Sequence, residues 1–489
     1  MNIFRCLAID MGASSIRVLL GEVSDKHISY KEIYRFKNEI ITDNGFDKWD
    51  IEAIYSRLVE GINTAIKDYP DIASLGVDSW GVDYVLIDQQ GELIEMPYAY
   101  RDSRTEGMTD KWKKQMSDEE TFQRTGINFY IFNTLFQLLS SQNSPEIKKA
   151  DSLLFIPAYI YYRLSGKKFN EVTISSTSQL LELSSTDFDK EILKKLDIKP
   201  SIFGKTIKPG NIIGVVNETK LAENQIQAVS VCCHDTASAV AAIPTASNEF
   251  LFISTGTWCI LGIESEKPIL SKEAMELGFT NERGYGNTYR ILKNIVGLWL
   301  VQGIQKAMPG KKDFSELEKI VSEAEPTNHI VDPEDTLFYN PENMLEAFDS
   351  YFEKTGQSKP KSIGQYIRCA YNSLSLAFVY YIHKIESLAN HSYKTIHVIG
   401  GGSQSVYLCQ SIANYTLKQV LSGPVECATI GNIMVQAIAL DKIKDIEEGR
   451  RIIKNSFPQK AFKSQINKNE SKEMYQKFIK LKNQQYVRE

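Results

Sequence analysis

The chain has 489 residues, a formal net charge of −5 at pH 7 and 43% hydrophobic residues. Its length exceeds what one hydrophobic core ordinarily serves, so two or three globular domains are predicted. The acidic balance disfavours a nucleic-acid partner, and no apolar run is long enough to cross a bilayer. The seven cysteines include no C-x-x-C pair, so neither a zinc site nor a disulfide framework is expected. We therefore expect a cytoplasmic enzyme without a nucleic-acid or membrane partner.

The first hundred residues predict three antiparallel strands, a helix and a further strand. A helix over roughly 50–69 has apolar residues at helical spacing, with Asp50 as a plausible N-cap and Pro70 as a stop. A hairpin is predicted from VDYVLID to QQGELI. The strand patterns, in chain order, are CLAIDMG, SIRVLLGEV, ISYKEIYRF and SLGVDSWG. This order is typical of the start of a ribonuclease-H-like fold.

The rest of the chain predicts an insertion followed by a repeat of the opening pattern. Residues from roughly 100 to 230 are mixed, and helix is predicted within 121–140. From residue 250, FLFISTGTWCILGIE repeats the strand, glycine turn and strand, and a long helix is predicted over 363–389. The interpretation is two similar α/β domains, 1–243 and 244–489. After residue 441 charge dominates, which indicates either a solvated pair of terminal helices or a partner-binding arm.

The common phosphate-binding motifs are missing from this sequence. Gly204-Lys205-Thr206 lacks the earlier glycine of a Walker loop, because Lys199 stands there. Neither glycine cluster, at 284–286 or at 400–402, completes a dinucleotide fingerprint. A P-loop kinase and a Rossmann dehydrogenase are therefore disfavoured.

A β-hairpin turn near the N-terminus has the chemistry of a phosphate site. Gly12 permits close approach of the backbone, and successive N–H groups beside the Ser14 and Ser15 hydroxyls can form an anion nest. Arg17 could neutralise phosphate charge. Asp10 offers a hard oxygen ligand suited to Mg²⁺. Taken alone, this turn is more often an ordinary hairpin.

Two further turns strengthen the nucleotide interpretation. Residues 254–257 repeat the glycine and hydroxyl chemistry, and the glycine loop at 400–402 follows a strand and could lie against a nucleoside. Three such turns in this order predict a nucleotide site in a cleft between two domains.

Segments distributed over almost the whole chain resemble one known group. They are DMGASSIRV, VDSWGVDYVLID, YRDSRT, FNTLFQL, VCCHDTASAV, STGTWCILG, LKNIVGLWL, HVIGGGSQS and GPVEC with ATIGNI. Together they resemble the hexokinase–actin–heat-shock-chaperone superfamily, and within it the rhamnulokinase branch of the FGGY carbohydrate kinases. Two departures are present. Glu171–Ser176 differs from the Asp-x-Ser-x-Ala-Ser segment of many sugar kinases. Ile16 stands where relatives often have Gly, which is mild unless that position needs a positive φ.

The resemblance implies a duplicated actin-like ATPase fold, two ribonuclease-H-like domains with a central cleft. It implies phosphorylation of L-rhamnulose to L-rhamnulose 1-phosphate in L-rhamnose catabolism, with ATP as co-substrate and Mg²⁺ as cofactor. The ATP-binding positions that it implies are Ala13, Ser14, Ser15, Ile16, Arg17, Thr257, Gln302 and Gly401. The sugar-binding positions are Gly81, His234, Asp235, Thr236 and Asn294.

Asp235 is the candidate general base for this reaction. It stands before the small-residue helix ASAVAAI, where a carboxylate could serve equally as a helix N-cap. The family resemblance points to the same aspartate as the base. Asp83, Arg101 and Asp102 are weaker candidates for the pocket, since structural ion pairs would look identical.

Two alternatives to a rhamnulokinase stay open. One is a kinase for another ketose or deoxy sugar, such as L-fuculose or a xylulose. The other is an ATP-switched scaffold like the actin and chaperone relatives, which would have no use for a base at position 235. The sequence does not fix the oligomeric state.

Overall fold

A computed structural model of the chain describes residues 3–217, 225–247, 249–310 and 313–485. Within these residues the chain forms two large mixed β-sheets and three two-stranded sheets, together with helices. The strands are β1 Phe4–Met11, β2 Ser15–Ser24, β3 His27–Lys37, β4 Ile40–Asp43, β5 Phe46–Trp49, β6 Ser74–Ser79, β7 Tyr84–Ile87, β8 Ser152–Phe155, β9 Asn170–Glu171, β10 Thr206–Ile207, β11 Asn211–Val215, β12 Gln227–Ser230, β13 Leu251–Thr255, β14 Trp258–Ser265, β15 Thr280–Arg283, β16 Tyr289–Val296, β17 Thr395–Gly400, β18 Gln419–Ser422 and β19 Lys460–Phe462. The helices are α1 Ile51–Asp68, α2 Met108–Lys113, α3 Asp118–Thr125, α4 Thr134–Ser140, α5 Pro145–Lys149, α6 Ile156–Ser165, α7 Val172–Ser176, α8 Lys190–Lys195, α9 Asp235–Ala241, α10 Lys272–Glu276, α11 Trp299–Ala307, α12 Phe314–Glu323, α13 Met344–Thr355, α14 Ile363–Ala389, α15 Val406–Thr416, α16 Cys427–Ala439, α17 Ile446–Ser456 and α18 Lys468–Gln485.

The first large sheet has six strands in the order β11-β12-β6-β1-β2-β3. Strands β1, β2 and β3 form an antiparallel meander, while β6 runs parallel to both β1 and β12. Almost every residue of β1 is buried, as expected of a strand covered on both faces. The predicted three strands, helix and fourth strand are confirmed, with the hairpin of β4 and β5, which was not predicted, inserted between β3 and α1.

Helix α1 forms where its sequence signals predict it. The Asp50 carboxylate accepts a hydrogen bond from the Ala53 N–H at 3.0 Å and so caps the first turn. The helix ends at Asp68, just before Pro70. Its buried face carries Ile54, Leu58 and Ile62, which belong to the core of the first sheet.

The second large sheet repeats the plan of the first, in the order β15-β16-β14-β13-β17-β18-β19. Strand β13 is antiparallel to β14 and parallel to β17, as β1 is antiparallel to β2 and parallel to β6. Strand β18 continues in parallel, and β19 closes the edge antiparallel to it. The internal repeat that the sequence predicts therefore has a counterpart in strand pairing.

One local prediction differs from the structure, and a second is confirmed only in part. Helix is interrupted between α3 and α4, because Gly126 takes a left-handed conformation with φ of 71° and ends α3. The predicted hairpin forms only as a short one, with an antiparallel bridge between Ile87 and Leu93 and a hydrogen bond from the Ile94 N–H to the Leu86 carbonyl at 3.0 Å, while the regular partner of β7 is β8. The partner strand comes from more than sixty residues away, which local sequence does not reveal.

The two charged C-terminal helices each bury one face. Arg450, Ile452 and Ile453 of α17 are buried. In α18, Phe478 is buried, and Lys482 pairs with Glu334 at 2.8 Å and Asp332 at 3.3 Å. Each helix therefore packs by one face as part of the fold, rather than forming a fully solvated pair or a free arm.

Two compact units can be distinguished, and neither is continuous in sequence. Unit 1 comprises Met1–Ala246, Glu264–Ile291 and Cys427–Ser456, and unit 2 comprises Ser247–Ile263, Leu292–Glu426 and Phe457–Glu489. The predicted division into 1–243 and 244–489 stays a prediction about domains. The first segment of unit 1 ends at Ala246, close to that division. The chain then returns to unit 1 with Glu264–Ile291 and Cys427–Ser456. In the described part of the chain, no helix is long and apolar enough to span a membrane.

Within unit 1, α16 packs very closely on α9, the short helix that begins at Asp235. A Cβ atom on Gly431 would lie 1.9 Å from the backbone oxygen of Ser238. Only glycine fits there, so this contact sets the spacing of the two helices.

We predict that Gly431→Ala lowers the free energy of unfolding by about 1–3 kcal/mol, because α16 must move away from α9 to admit the methyl group. Thermal and urea unfolding would measure the loss. Ala439→Ser also adds one heavy atom to α16, at a half-buried position, and is the matched control. A Gly431→Ala protein as stable as the control would contradict the packing argument.

Candidate active site

Three loops of unit 1 meet at one edge of the six-stranded sheet. Strands β1, β6 and β12 are parallel, so their carboxyl ends lie together, which is where open α/β sheets bind ligands. The Trp80 N–H donates to the Met11 carbonyl at 3.3 Å, and the Ser79 N–H donates to the Cys233 carbonyl at 2.9 Å. The turn after β1, the Gly81 turn after β6 and the loop that carries Asp235 are therefore neighbours.

The turn after β1 has a well-defined polar arrangement. The Gly12 N–H donates to the Ser15 carbonyl at 3.0 Å and closes the turn. Arg17 donates to the Asp10 carboxylate at 2.5 Å, across the antiparallel pair. Ile16 lies in β2, is fully buried and has no positive φ. Position 16 therefore needs no positive φ, and Ile in place of Gly is a mild change.

A row of polar side chains on α16 binds the strands of this edge. The Thr429 hydroxyl donates to Asp10 at 3.1 Å, and the Asn432 amide donates to Asp78 at 2.6 Å. One turn further along, Gln436 accepts from the Ser74 hydroxyl at 2.7 Å. The spacing of i, i+3 and i+7 keeps these three residues on one helix face.

Asp78 lies in β6 directly beside Asp10 in the parallel register, and it is fully buried. Burial holds the pKa of the Asp78 carboxyl well above its usual value, and the neighbouring charges of Asp10 and Asp235 act in the same direction. The hydrogen bond from Asn432 opposes them.

Asp235 is the first residue of α9, and its side chain is 35% exposed. Its Oδ1 atom accepts from the Thr236 N–H at 2.5 Å and from the Thr236 hydroxyl at 3.0 Å. The N-cap of α9 is His234, whose side chain makes no capping hydrogen bond. Asp235 thus accepts two local hydrogen bonds through Oδ1 at the helix start, while its carboxylate stays partly exposed.

The backbone before Asp235 is held by a buried polar cluster. Glu171 accepts from the Cys233 N–H at 3.1 Å, and the Thr173 hydroxyl accepts from the His234 N–H at 3.2 Å. Burial raises the pKa of Glu171 to about 7, although three further hydrogen bonds to the start of α7 oppose the rise. The segment that departs from many sugar kinases therefore supports the loop of the candidate base.

The Gly81 turn is fixed from behind by Thr177. A Cβ atom on Gly81 would lie 3.0 Å from the Thr177 hydroxyl, which also accepts from the Val82 N–H at 3.1 Å. Val82 has a φ of 68°, a strained conformation for a β-branched residue. Thr134 donates to the Val82 carbonyl at 2.6 Å and helps to hold it there.

The weaker candidates Asp83 and Asp102 are held by hydrogen bonds within the fold. Asp83 is buried and accepts hydrogen bonds from the indoles of Trp49 and Trp80, among other donors. Burial raises the pKa of Asp83 to about 6, against these hydrogen bonds. Asp102 is buried and accepts from two backbone N–H groups, and Arg101 is exposed.

Unit 2 gathers the remaining candidates around the turn between β13 and β14. The Thr257 hydroxyl donates to the Gln302 side chain at 3.2 Å, so these two positions are direct neighbours. The Gly400–Gly402 loop lies against the same turn, because a Cβ atom on Gly400 would be 2.7 Å from the Thr255 carbonyl. Asn294 is half-buried in β16, three residues before Gly297, whose N–H donates to the Thr257 carbonyl at 3.2 Å.

Comparison with known proteins agrees with this architecture. Models of the FGGY family of carbohydrate kinases match residues 5–242 with the N-terminal domain and residues 251–440 with the C-terminal domain. A rhamnulokinase of Bacillus subtilis is 35% identical over 458 residues, 93% of this chain and 94% of the relative. A rhamnulokinase of Oceanobacillus iheyensis is 38% identical over 455 residues, 92% and 96% of the two chains. The chain belongs to the FGGY family of carbohydrate kinases.

The fold of this kinase is shared with distant relatives. The crystal structure of Plasmodium falciparum glycerol kinase with ADP superposes with a TM-score of 0.81 at 16% identity, covering 99% of this chain and 98% of that one. The expectation of a duplicated actin-like fold with two mixed-sheet domains is confirmed. The protein is an ATP-dependent sugar kinase, as the sequence predicted.

Several polar residues around the site of this kinase were not identified from the sequence. Thr429, Asn432 and Gln436 stand in a helix that was recognised only by its small residues, although their spacing forms a polar stripe. Glu282 and Arg290 contact His234 from β15 and β16, and their pattern in the sequence is that of ordinary charged residues.

Glu282 is buried beside Arg290 and His234. Burial alone would raise the pKa of its carboxyl, but the positive charge of Arg290, the largest opposing cause, helps to lower that pKa to about 2 from a usual value of 4.5. Since the folded-state pKa is depressed, the ionised carboxylate stabilises the fold above pH 4.5, and this contribution is lost as the pH falls towards 2.

We predict that Glu282→Gln lowers stability at pH 7 by about 3–5 kcal/mol, because the Arg290 charge stays buried without its partner. The difference from wild type should shrink between pH 4.5 and pH 2. Unfolding midpoints across this range would measure it. Glu276→Gln, in an exposed ion pair, is the control and should change little. A gap that widens at low pH would contradict the assignment.

Proposed function

We propose that this kinase transfers the γ-phosphoryl group of ATP to L-rhamnulose, giving L-rhamnulose 1-phosphate and ADP, with Asp235 as general base. The observation that supports the substrate is the similarity, over more than nine tenths of the chain, to relatives named rhamnulokinase. The site of unit 1 supports the chemistry, since it offers an accessible carboxylate at a ligand-binding edge of the sheet.

Asp235 takes the proton from the attacking sugar hydroxyl as the phosphoryl group is transferred. A positioned carboxylate of this kind ordinarily contributes a factor of about 10²–10⁴ to the rate. Asp78, Asp83 and Glu171 are fully or almost fully enclosed and hydrogen-bonded, so they are poorer candidates. The accessible position of Asp235 at the carboxyl edge of the sheet distinguishes it from them.

The sugar is held in this proposal by Gly81, His234, Thr236 and Asn294. The backbone of Gly81 is fixed by Thr177, and Thr236 is held by its hydrogen bond to Asp235, so both present defined groups. Asn294 is half-buried and can both donate to and accept from a sugar hydroxyl.

The ATP-binding positions in this proposal are Ala13 to Arg17, Thr257, Gln302 and Gly401. Ser14 is exposed at the tip of its turn, where its hydroxyl and N–H are available to phosphate oxygens. The direct hydrogen bond between Thr257 and Gln302 keeps those two side chains together. A Cβ atom on Gly401 would lie 4.0 Å from its nearest neighbour, the Thr255 carbonyl oxygen, so this residue leaves an open surface for a ligand.

The donor chemistry of Asp10 fits Mg²⁺. Among the described residues, no cluster of three or more His, Cys, Asp or Glu forms a dedicated metal cage. Mg²⁺ is ordinarily held by one or two carboxylates together with substrate phosphates, so it would arrive with ATP and be held by Asp10. When bound, the ion would neutralise charge on the phosphates.

A coupled assay for ADP release would test the substrate. With L-rhamnulose, L-fuculose, D-xylulose and glycerol offered in parallel, we expect the highest kcat/KM with L-rhamnulose. A higher kcat/KM with any other member of the set would refute the assignment, and L-fuculose is the alternative that it would favour first.

Asp235→Asn should lower kcat by about 10²–10⁴-fold while ATP binding, measured by calorimetry, stays near the wild-type value. The amide keeps the shape of the side chain and loses the base. Asp118→Asn changes the first residue of another helix of unit 1 and serves as the control. Turnover by Asp235→Asn comparable to that of the control would remove the base from position 235.

A further inference from the structure

His234 is surrounded by charged groups from two strands that the proposed reaction does not use. Arg290 of β16 is fully buried, and its Nη2 lies 3.1 Å from the His234 Nδ1 in hydrogen-bond geometry. Glu282 of β15 lies 2.8 Å from the same Nη2 and 3.2 Å from the same Nδ1. On the other side of the ring, Nε2 is 3.4 Å from Asp235 Oδ1.

Two groups compete for Nδ1, and only one of them forms a hydrogen bond with it. The Glu282 Oε2 atom, although 3.2 Å away, makes no hydrogen bond, whereas Arg290 Nη2 meets the hydrogen-bond geometry. Arginine has five N–H donors and no acceptor, so a hydrogen bond to Nδ1 requires a lone pair on that atom. A proton on Nδ1 would instead oppose an Arg290 N–H at 3.1 Å. A neutral imidazole that accepts at Nδ1 carries its proton on Nε2, the atom that faces Asp235.

We propose that Arg290 is a positioning residue that holds His234 in the Nε2–H tautomer, so that this N–H is presented to Asp235 and to a sugar hydroxyl. Glu282 has a second role in this arrangement. Its carboxylate pairs with the guanidinium, which lets Arg290 remain fully buried. The proposal rests on the function proposed above for His234 and Asp235.

The backbone supports the same arrangement. The Arg290 Nε donates to the Arg283 carbonyl at 3.0 Å, which fixes the guanidinium plane from the opposite strand of the hairpin. The Gly284 N–H donates to the Thr288 carbonyl at 2.8 Å and closes that hairpin. His234 itself is anchored through its N–H to Thr173. The ring and the guanidinium are thus held from three separate elements.

Removal of Arg290 leads to a specific expectation. Glu282 would then be the nearest charged group to Nδ1. An ionised carboxylate only accepts hydrogen bonds, so it favours a proton on Nδ1. The ring should change to the Nδ1–H tautomer, and Nε2 would face Asp235 with a lone pair instead of an N–H. The sugar site would lose a donor without any change in its shape.

The tautomer is measurable by NMR on the full chain labelled with ¹⁵N-histidine. The sequence has six histidines, and the His234 signals are identified by their loss in His234→Gln. Long-range ¹H–¹⁵N correlations should show Nε2–H in the wild type and in Glu282→Gln, and Nδ1–H in Arg290→Met. An Nδ1–H pattern in the wild type would overturn the proposal, as would Nε2–H in a folded Arg290→Met. If Arg290→Met does not fold, the wild-type spectrum alone decides.

A kinetic experiment separates this proposal from the function that it rests on. Arg290→Met should lower kcat/KM for the sugar about 10- to 100-fold, the loss expected for one hydrogen bond to a charged or reacting group. KM for ATP should stay near wild type. Arg283→Met, on the same hairpin but bonded to the Ser185 carbonyl, is the matched control. Equal kinetics of the two variants would overturn the positioning role. Wild-type inactivity towards L-rhamnulose would refute the substrate and leave the tautomer measurement valid.

Discussion

The polar face of α16 is the constraint on which the site of unit 1 depends. Thr429 and Asn432 of this helix reach the carboxylates of two adjacent parallel strands, Asp10 and Asp78. Because these bonds are buried, leaving either carboxylate unpaired would cost free energy, so the helix and the strand ends are fixed together. The same helix sets the position of α9 through the contact at Gly431. The metal candidate and the base candidate are therefore oriented by one element.

The acidic residues around this edge differ mainly in their surroundings. Asp78 and Glu171 are enclosed and have raised pKa values, which suits groups that hold backbone or neighbouring side chains. Glu282 is equally enclosed, but its partnership with Arg290 lowers its pKa. Asp235 alone among these four has a substantially exposed carboxylate. Environment, rather than residue type, separates the candidate base from the carboxylates that support it.

The sequence predicted those features that local signals determine. Helix α14 begins and ends where its periodicity predicted, with Ser362 as N-cap and Asn390 in the left-handed conformation after it. The first meander and the repeat followed from alternating apolar runs and glycine turns. The site residues named for unit 1 lie at neighbouring loops because parallel strands bring their carboxyl ends together.

What the sequence did not reveal depends on contacts between distant positions. Thr429 meets Asp10 across 419 residues, and Arg290 meets His234 across 56. The polar stripe of α16 marks a helix face but not the strand ends that it meets, and Arg290 has no local pattern that distinguishes it from other polar strand positions. The interruption of helix at Gly126 was missed for a different reason. The apolar residues after Gly126 suit a helix, but Gly126 itself ends α3 in the left-handed conformation.

The repeated strand plan shows how one architecture carries two chemistries. In the first sheet Asp10 and Asp78 are register partners on parallel strands, while the corresponding partners in the second sheet are Ser254 and Ile399. Beyond these pairs, Ser79 is followed by Trp80, whereas its counterpart Gly400 is followed by two further glycines.

The side chains at these equivalent positions therefore give the two large sheets different chemistry. The first copy places acidic groups at its strand ends, where a proton acceptor and a cation ligand are useful. The second copy removes side chains at the same edge, so that backbone can approach a ligand closely. The two copies of the strand plan therefore differ in chemistry at equivalent strand-end positions, acidic in the first sheet and rich in glycine in the second.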